Sequence, residues 1–287
     1  MLTFHRKIYK GENRRVYEGT YDGKRCCIKV LTSANAHQQE LFREEYRILS
    51  HISHPKLPKA LAFEETDLGP AMILSYLDGK TLRELMLSND SLTISFEKLY
   101  TQLTKLIQDI HNLRSIKDKR PLNLIHRDLK PSNIIVHLPS EDIFVCDLGI
   151  AYYEHPDRSM KSSPAQRKGS ILYCAPEYLL EASKGPKQDY FSLGWILIEF
   201  LTKKKPPGFI PNVQKYNNIR QKYIDMIPQQ YQRYCEMLTE FHPQDRQIIP
   251  IIENRPKKGL LASMIVLIII GISLLFTFLL TNTTIIR

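Results

Sequence analysis

The sequence predicts an α+β chain of two lobes, a small β-rich one followed by a larger helical one, with a single membrane-crossing helix at the C-terminus. Three observations predict it. Strand and hairpin signals dominate early in the chain, amphipathic and apolar helical patterns dominate late, and the stretch Leu260–Thr281 is apolar and carries no charge.

The elements follow in order. Ile8 to Leu31 reads as strands: Arg14 to Gly19 alternates around Val16, Tyr21–Gly23 marks a hairpin turn, and Cys26 to Val30 is apolar around one lysine. Ala36 to Ile52 reads as a helix and Ala71 to Leu77 as a short apolar strand. Phe96 to Asn112 is an amphipathic helix with Leu99, Leu103, Leu106, Ile107 and Ile110 on one face. Leu124 to Val145 holds short apolar strands around a polar loop, and Phe191 to Leu201 is a strongly apolar helix. No internal repeat or low-complexity tract interrupts the pattern.

At ~1.5 Å per residue, a helix over Leu260–Thr281 would span ~33 Å, slightly more than a bilayer core. A buried core helix of this length would show a polar face, and this one shows none. Arg255, Lys257 and Lys258 precede it and only Arg287 follows, so the positive-inside rule puts the N-terminal part in the cytoplasm. The expected organisation is a domain over 1–253, with lobes of about 1–77 and 78–253. A basic linker over 254–259, the span over 260–281 and a short outer tail over 282–287 follow, making a single-pass protein of the cell membrane. No secretory signal is visible at the N-terminus.

With 24% charged and 43% hydrophobic residues among 287, the composition is that of a folded chain able to bury a substantial core. Its five cysteines are odd in number and scattered, which argues against a disulfide framework and against metal-ligand spacing. The net charge of +10 fits an anionic partner, or only a solvated basic surface. Lys203, Lys204, Lys205, Lys215, Arg220 and Lys222 form one cluster, and Arg114, Lys117, Lys119 and Arg120 a second. Anionic lipid or non-specific DNA are the partners such clusters would take; no motif for sequence-specific DNA binding is present.

The strongest chemical signal is His126-Arg127-Asp128-Leu129-Lys130-Pro131-Ser132-Asn133. Phosphoryl transfer to a hydroxyl needs a carboxylate to take the proton, a cation near the moving phosphate and a ligand for a divalent metal. Asp128, Lys130 and Asn133 supply all three from one loop. Asp147-Leu148-Gly149 follows an apolar stretch and offers a second metal-binding carboxylate beside a flexible residue. Singly, each is an ordinary set of loop polars; in this order they are not.

On these motifs the chain, from about Ile8 to Arg246, resembles the eukaryotic-like (Hanks-type) protein kinases, and its Lys130 resembles the serine/threonine branch. The resemblance implies the bilobal protein-kinase fold, ATP and Mg2+ as cofactors, and protein substrates including the chain itself. It makes Asp128 the catalytic base and Asn133 and Asp147 the magnesium ligands. Lys29 becomes the lysine that holds the α- and β-phosphates, with Cys27 where alanine is usual.

That lysine needs a glutamate on the following helix, and Glu44 and Glu45 compete. Leu41, Ile48, Leu49 and Ile52 share a face with Glu45, so Glu45 is the expected partner and Glu44 is turned ~100° away. Met72–Gly79 resembles the segment joining the lobes: Leu74 is the gatekeeper, Ser75 to Leu77 present backbone to adenine, and Asp78 meets the ribose. Tyr76 to Arg83 is similar to the corresponding region of bacterial membrane kinases. Ala175-Pro176-Glu177 resembles the end of the activation segment, with Glu177 paired to Arg246, while Asp189 supports the catalytic loop.

The resemblance also implies phosphorylation between Asp147 and Glu177, at Ser159, Ser162, Ser163 or Ser170. Ser170 sits where the family positions substrate, which favours Ser162 or Ser163. A homodimer would allow this reaction in trans.

Two departures stand out. Counting back from Val16, the phosphate loop keeps only Gly11, with Tyr9 and Arg14 where the outer glycines belong, so side chains are expected to crowd the phosphates and lower ATP affinity. The stretch after Lys205 is short, and no helix is expected after Arg246. The degraded loop supports an alternative, a pseudokinase that binds partners without catalysis; intact Lys29, Glu45, Asp128, Asn133 and Asp147 oppose it.

Overall fold

A computed structural model describes residues 1–33, 35–88, 94–155, 171–180 and 185–251. Five antiparallel strands open the chain: β1 (Leu2–Lys10), β2 (Arg14–Tyr21), β3 (Lys24–Leu31), β4 (Ala60–Thr66) and β5 (Gly69–Ser75), in the order β1-β2-β3-β5-β4. The β2–β3 turn falls at Asp22 and Gly23, both at positive φ (48° and 77°), the twist a two-residue hairpin needs. Period two then assigns faces. Cys26, Ile28, Val30, Ala71 and Ile73 pack as a fully buried cluster on one face, and the alternate residues Lys29, Met72 and Leu74 stand on the other.

Helix α1 (Ala36–Leu49) crosses this sheet, capped by the Asn35 side chain, which accepts from the His37 and Gln38 N–H groups. It buries Phe42, Ile48 and Leu49, with Phe42 against Phe63 at 5.8 Å between ring centres. The helix ends at Leu49 rather than Ile52, because Ser50 Oγ and His51 Nδ1 both take up the Arg47 carbonyl. The strand expected over Ala71–Leu77 also leaves the sheet early, at Ser75, and Tyr76 and Leu77 belong to the connection between lobes.

The second lobe is helical around a small sheet. Strand β6 (Lys80–Thr81) leads into α2 (Leu82–Leu87) through a Thr81–Glu84 capping box. Helix α3 (Phe96–His111), capped by Ser95, buries the predicted Leu99, Leu103, Leu106, Ile107 and Ile110. Strands β7 (Ile134–His137) and β8 (Asp142–Val145) pair with β6 in the order β6-β7-β8. Leu124 and Ile125, expected within a strand, are buried but form only an isolated bridge between Ile125 and Tyr152. The N–H groups that follow are taken by a side chain instead of a ladder, as described below.

After the short α4 (Pro176–Leu180) comes α5 (Lys187–Thr202), which is buried along most of its length. It packs closely on α7 (Gln229–Leu238) at Gly194, where a Cβ would lie 2.5 Å from Thr239 Cγ2 and 2.8 Å from Leu238 Cβ. Helix α6 (Val213–Ile224) completes the lobe, and the described chain is not helical after Arg246. Met1–Ile249 form one compact unit and Pro250–Arg287 another. Among the described residues no helix is long and apolar enough to cross a membrane. The linker 254–259, the predicted span 260–281 and the tail 282–287 lie outside them.

Candidate active site

The site lies between the lobes, and its first anchor is Lys29 on β3. Its Nζ is 2.5 Å from Glu45 Oε1 on α1 and 2.8 Å from Asp147 Oδ1, which ties both lobes to one buried ammonium. Glu45 is the partner that the helical pattern predicts. Glu44 departs from the pattern: it is buried as well, bonded by Tyr153 Oη at 2.9 Å and paired with Arg47. Two carboxylates one residue apart thus face different cations, and the aromatic hydroxyl of the Asp147–Glu177 segment satisfies the second.

Burial works against ionisation of Asp147, yet Lys29 and then Arg14 hold its carboxyl well below the usual range. The Lys29 ammonium also suffers from burial, but Asp147 and Glu45 together raise it above its ordinary value. Both shifts favour the ionised pair.

The catalytic loop is held from beneath. Asp189, fully buried in the first turn of α5, accepts the His126 and Arg127 N–H groups at 2.9 Å each and meets His111 Nε2 at 2.8 Å. Burial again opposes its charge, and the His111 contact leads the groups that lower its carboxyl nonetheless. Arg127 sits in the left-handed region at φ 66°, which turns the chain so that Asp128 projects into the cleft. Lys130 Nζ lies 2.6 Å from Asp128 Oδ2. Asn133 Nδ2 donates to the Asp128 carbonyl at 2.8 Å and to Oδ2 at 3.1 Å.

Those two bonds fix the Asn133 amide. Its nitrogen must face the acceptors of Asp128, so its Oδ1 points the other way and is left to accept. The Cys146 N–H bonded to the Asn133 carbonyl at 2.9 Å ties this loop to the residue before Asp147. One carboxylate and one carboxamide oxygen are the hard donors a magnesium-sized cation takes when phosphates supply the rest. Among the described residues no three His, Cys, Asp or Glu gather into a self-sufficient metal cluster.

The side of the cleft expected to face adenine is less polar. Val16 on β2 lies opposite Lys29 in register, and Leu74 and Cys27 pair on the same face. Burial pushes the Cys27 thiol up to about 11. The Ser75 N–H is given to the Lys59 carbonyl at 2.9 Å, so it is not one of the backbone groups that could serve a base. Leu77 is half-buried, and Asp78 is exposed and lies 3.5 Å from Arg25. Gly11 closes a tight turn with its N–H on the Arg14 carbonyl at 2.8 Å.

Behind the site, Glu177 and Arg246 form a two-pronged buried pair at 2.6 and 2.8 Å, as the sequence suggests. Ser159, Ser162, Ser163 and Ser170 lie outside the described residues. Sequence reasoning missed three contacts: His111 with Asp189, Tyr153 with Glu44, and Arg14 with the Lys29 cluster. The last was findable, because Arg14 is two residues before Val16 and must share its face.

The protein kinase domain family matches residues 2–265. The chain belongs to that family. A probable serine/threonine-protein kinase of Dictyostelium discoideum is 34% identical over 69% of this chain and 11% of its own length. The stress-activated protein kinase alpha of the same organism is 26% identical over 89% of this chain and 40% of its own. A probable receptor-like protein kinase of Arabidopsis thaliana is 27% identical over 70% and 60% respectively. The kinase chain thus spans less than two thirds of each of these relatives.

Proposed function

We propose that this chain is an ATP-dependent protein serine/threonine kinase using Mg2+, held at a cell membrane by Leu260–Thr281 with its catalytic unit in the cytoplasm. The observation that carries the catalytic part is the assembly of two triads across one cleft: Lys29 with Glu45 and Asp147, and Asp128 with Lys130 and Asn133. The likeness to named serine/threonine kinases supports the substrate class, and Lys130 beside the base agrees with it.

In the reaction, Asp128 orients a substrate hydroxyl and accepts its proton as the oxygen attacks the γ-phosphorus. The bond from that phosphorus to the β–γ bridging oxygen breaks, and ADP leaves with the electron pair. Lys130 offsets charge on the moving phosphoryl group, and Lys29, locked by Glu45, holds the non-reacting phosphates. Asn133 and Asp147 would hold the divalent cation, which neutralises charge developing on the phosphate oxygens.

The test is magnesium-dependent transfer of labelled phosphate from ATP to the chain or to a generic acceptor protein. Asp128→Asn keeps the shape but cannot take the proton, so it should lose at least ~100-fold in rate, in the range of general-base catalysis, with the fold intact. Near-native turnover in that variant would sink the assignment. A second reading, a pseudokinase scaffold, draws on one observation: Arg14 stands 3.6 Å from the metal-binding carboxylate of Asp147. Absence of transfer by the wild type at any metal concentration would favour it.

The membrane reading rests on the uncharged apolar stretch and its basic flank. Protease added outside intact cells should leave the catalytic unit uncut. Lys203, Lys204, Lys205 and Lys222 are exposed, whereas Arg220 is drawn to Glu240 at 2.9 Å. An anchor would keep these lysines near anionic headgroups, and stimulation by anionic vesicles but not by duplex DNA is the expected result.

A further inference from the structure

Among the described residues, Arg14 is a charged group beside the Lys29 cluster to which the kinase reading assigns no role. It opens β2 where a phosphate loop would carry its last glycine, and its side chain shares a face with Val16 and Lys29. Its Nη1 lies 3.4 Å from Glu45 Oε2 and 3.6 Å from Asp147 Oδ1. The guanidinium also lies against Gly149, where a Cβ would fall 2.8 Å from Nη1 and 3.2 Å from Nη2. The site is therefore shaped around it on both sides.

These contacts are loose. Lys29 already reaches the same two carboxylates at 2.5 and 2.8 Å, and Arg14 only adds a second cation to oxygens that have one. Two positive groups face two negative ones, so the cluster is neutral before any ligand enters. A guanidinium with five donors and two contacts near the hydrogen-bonding limit is poorly used as a structural pin. A polyphosphate would offer it the two-pronged geometry that it lacks here.

The middle glycine of the loop is not free to do that work by backbone. The Gly11 N–H is given to the Arg14 carbonyl at 2.8 Å, and the Tyr9 ring lies so close over Gly11 that a Cβ there would be 2.9 Å from it. With the Gly11 amide occupied and Tyr9 and Arg14 in place of the outer glycines, the loop has one amide fewer and more side chain to present to a phosphate.

We propose that Arg14 is a polyphosphate-binding residue that takes over from the glycine loop. It contacts Asp147 and Glu45 in this structure and would turn from them to the nucleotide's phosphates in the complex. This chain would then grip the triphosphate by charge instead of by backbone amides, and the side chain expected to crowd ATP would hold it. The inference rests on the nucleotide-site reading above.

The experiment compares the full chain with Arg14→Gln and Arg14→Lys in detergent, measuring binding of ATP with Mg2+, and of adenosine alone, by calorimetry. Losing one charge-assisted phosphate contact should weaken ATP binding about tenfold in Arg14→Gln while adenosine affinity stays within about twofold. Arg14→Lys keeps the charge without the fork and should fall between; it carries the test if Arg14→Gln melts more than a few degrees lower. ATP bound by Arg14→Gln as tightly as by wild type, or more tightly, would make Arg14 a plug and overturn the proposal. Equal loss of ATP and adenosine affinity would also overturn it, because the change would then be one of fold. If the wild type binds adenosine and ATP alike, phosphate recognition itself fails; if it binds neither, the kinase reading falls with the proposal.

Discussion

Replacing Glu177 by glutamine should be among the most destabilising conservative changes in this chain. The Arg246 guanidinium is fully buried and holds Glu177 at 2.6 and 2.8 Å. Its remaining donors go to the carbonyls of Phe241 (2.6 Å), Glu240 (2.7 Å) and Lys187 (3.1 Å). It also lies over the Phe191 ring at 4.7 Å. Glutamine keeps the shape and one acceptor but leaves a full positive charge with no counter-ion and no water. Breaking a buried pair in this way costs about 3–5 kcal/mol. At ~2–4 °C per kcal/mol for a unit of this size, the melting temperature should drop by roughly 6–20 °C. Arg246→Met should cost a similar amount by stranding Glu177. The double variant Glu177→Gln with Arg246→Met removes both charges and should recover at least ~2 kcal/mol of the summed losses. Urea unfolding of the four proteins measures all of these terms. Single losses under about 1 kcal/mol, or losses that simply add, would refute the picture of one buried, mutually dependent pair.

Asp189→Asn should lower kcat with little change in the KM for ATP, because it loosens the base and leaves the nucleotide's contacts alone; it should also cost roughly 1–3 kcal/mol by leaving a buried donor unpaired. The Asp189 carboxyl is lowered in the folded state. Its stabilisation is therefore complete above the unfolded value of ~3.9 and lost as pH falls through the folded value, and the variant should lose that part of the acid-side slope. Cys27, its thiol held up at about 11, should be ~0.1% thiolate at pH 8 and react with iodoacetamide over 100-fold more slowly than a free cysteine, as peptide mapping would show. Gly194→Val drives carbon into Thr239 and Leu238 and should cost at least about 1–3 kcal/mol by thermal melting, whereas a surface valine on α6 should not.

How much of this was legible in the sequence depends on how strong a local signal each part left. The residues proposed for the phosphoryl-transfer step are contiguous or nearly so, and contiguity survives translation into three dimensions: Asp128, Lys130 and Asn133 come together because a single loop carries them. Helix α3 was legible because its apolar residues repeat at helical spacing and all face inward. Helix α6 was not, because only Tyr216 and Ile224 of its twelve residues are buried, too few to set a period. Strand β4 escaped for a related reason, with Ala60–Thr66 lying at the sheet's edge with no fully buried residue. The choice of Glu45 over Glu44 followed from helix geometry. The burial of Glu44 did not, since it depends on Tyr153, over a hundred residues away. His111 is likewise paired with Asp189 across 78 positions, a distance at which no local pattern speaks.

Two residues at the heart of the cleft share a backbone feature that explains why the supports around them are so heavy. Arg127, just before the proposed base, and Asp147, the proposed metal-binding carboxylate, both lie in the left-handed region, at φ 66° and 67°. A non-glycine residue there costs of order 1–3 kcal/mol and persists only where the surroundings over-determine it. Both are over-determined. Asp189 takes the N–H of Arg127, and the guanidinium lies over the Tyr152 and Tyr178 rings at 4.7 and 5.0 Å. Asp147 is locked by Lys29 and accepts the Gly149 N–H on the same oxygen at 3.3 Å. Each support comes from a different part of the fold: α5 for the base, β3 and, through Lys29, α1 for the metal ligand. Residues such as Asp189 and Glu45 are structural in the sense that they touch no substrate. Yet the strain they hold in place is what aims the reactive groups, so their loss should appear in turnover as well as in stability. The two ends of the cleft have separate anchors, α5 and α1, but are linked through Asn133 and the Cys146 N–H, so a change in α1 should disturb Asp147 more than Asp128.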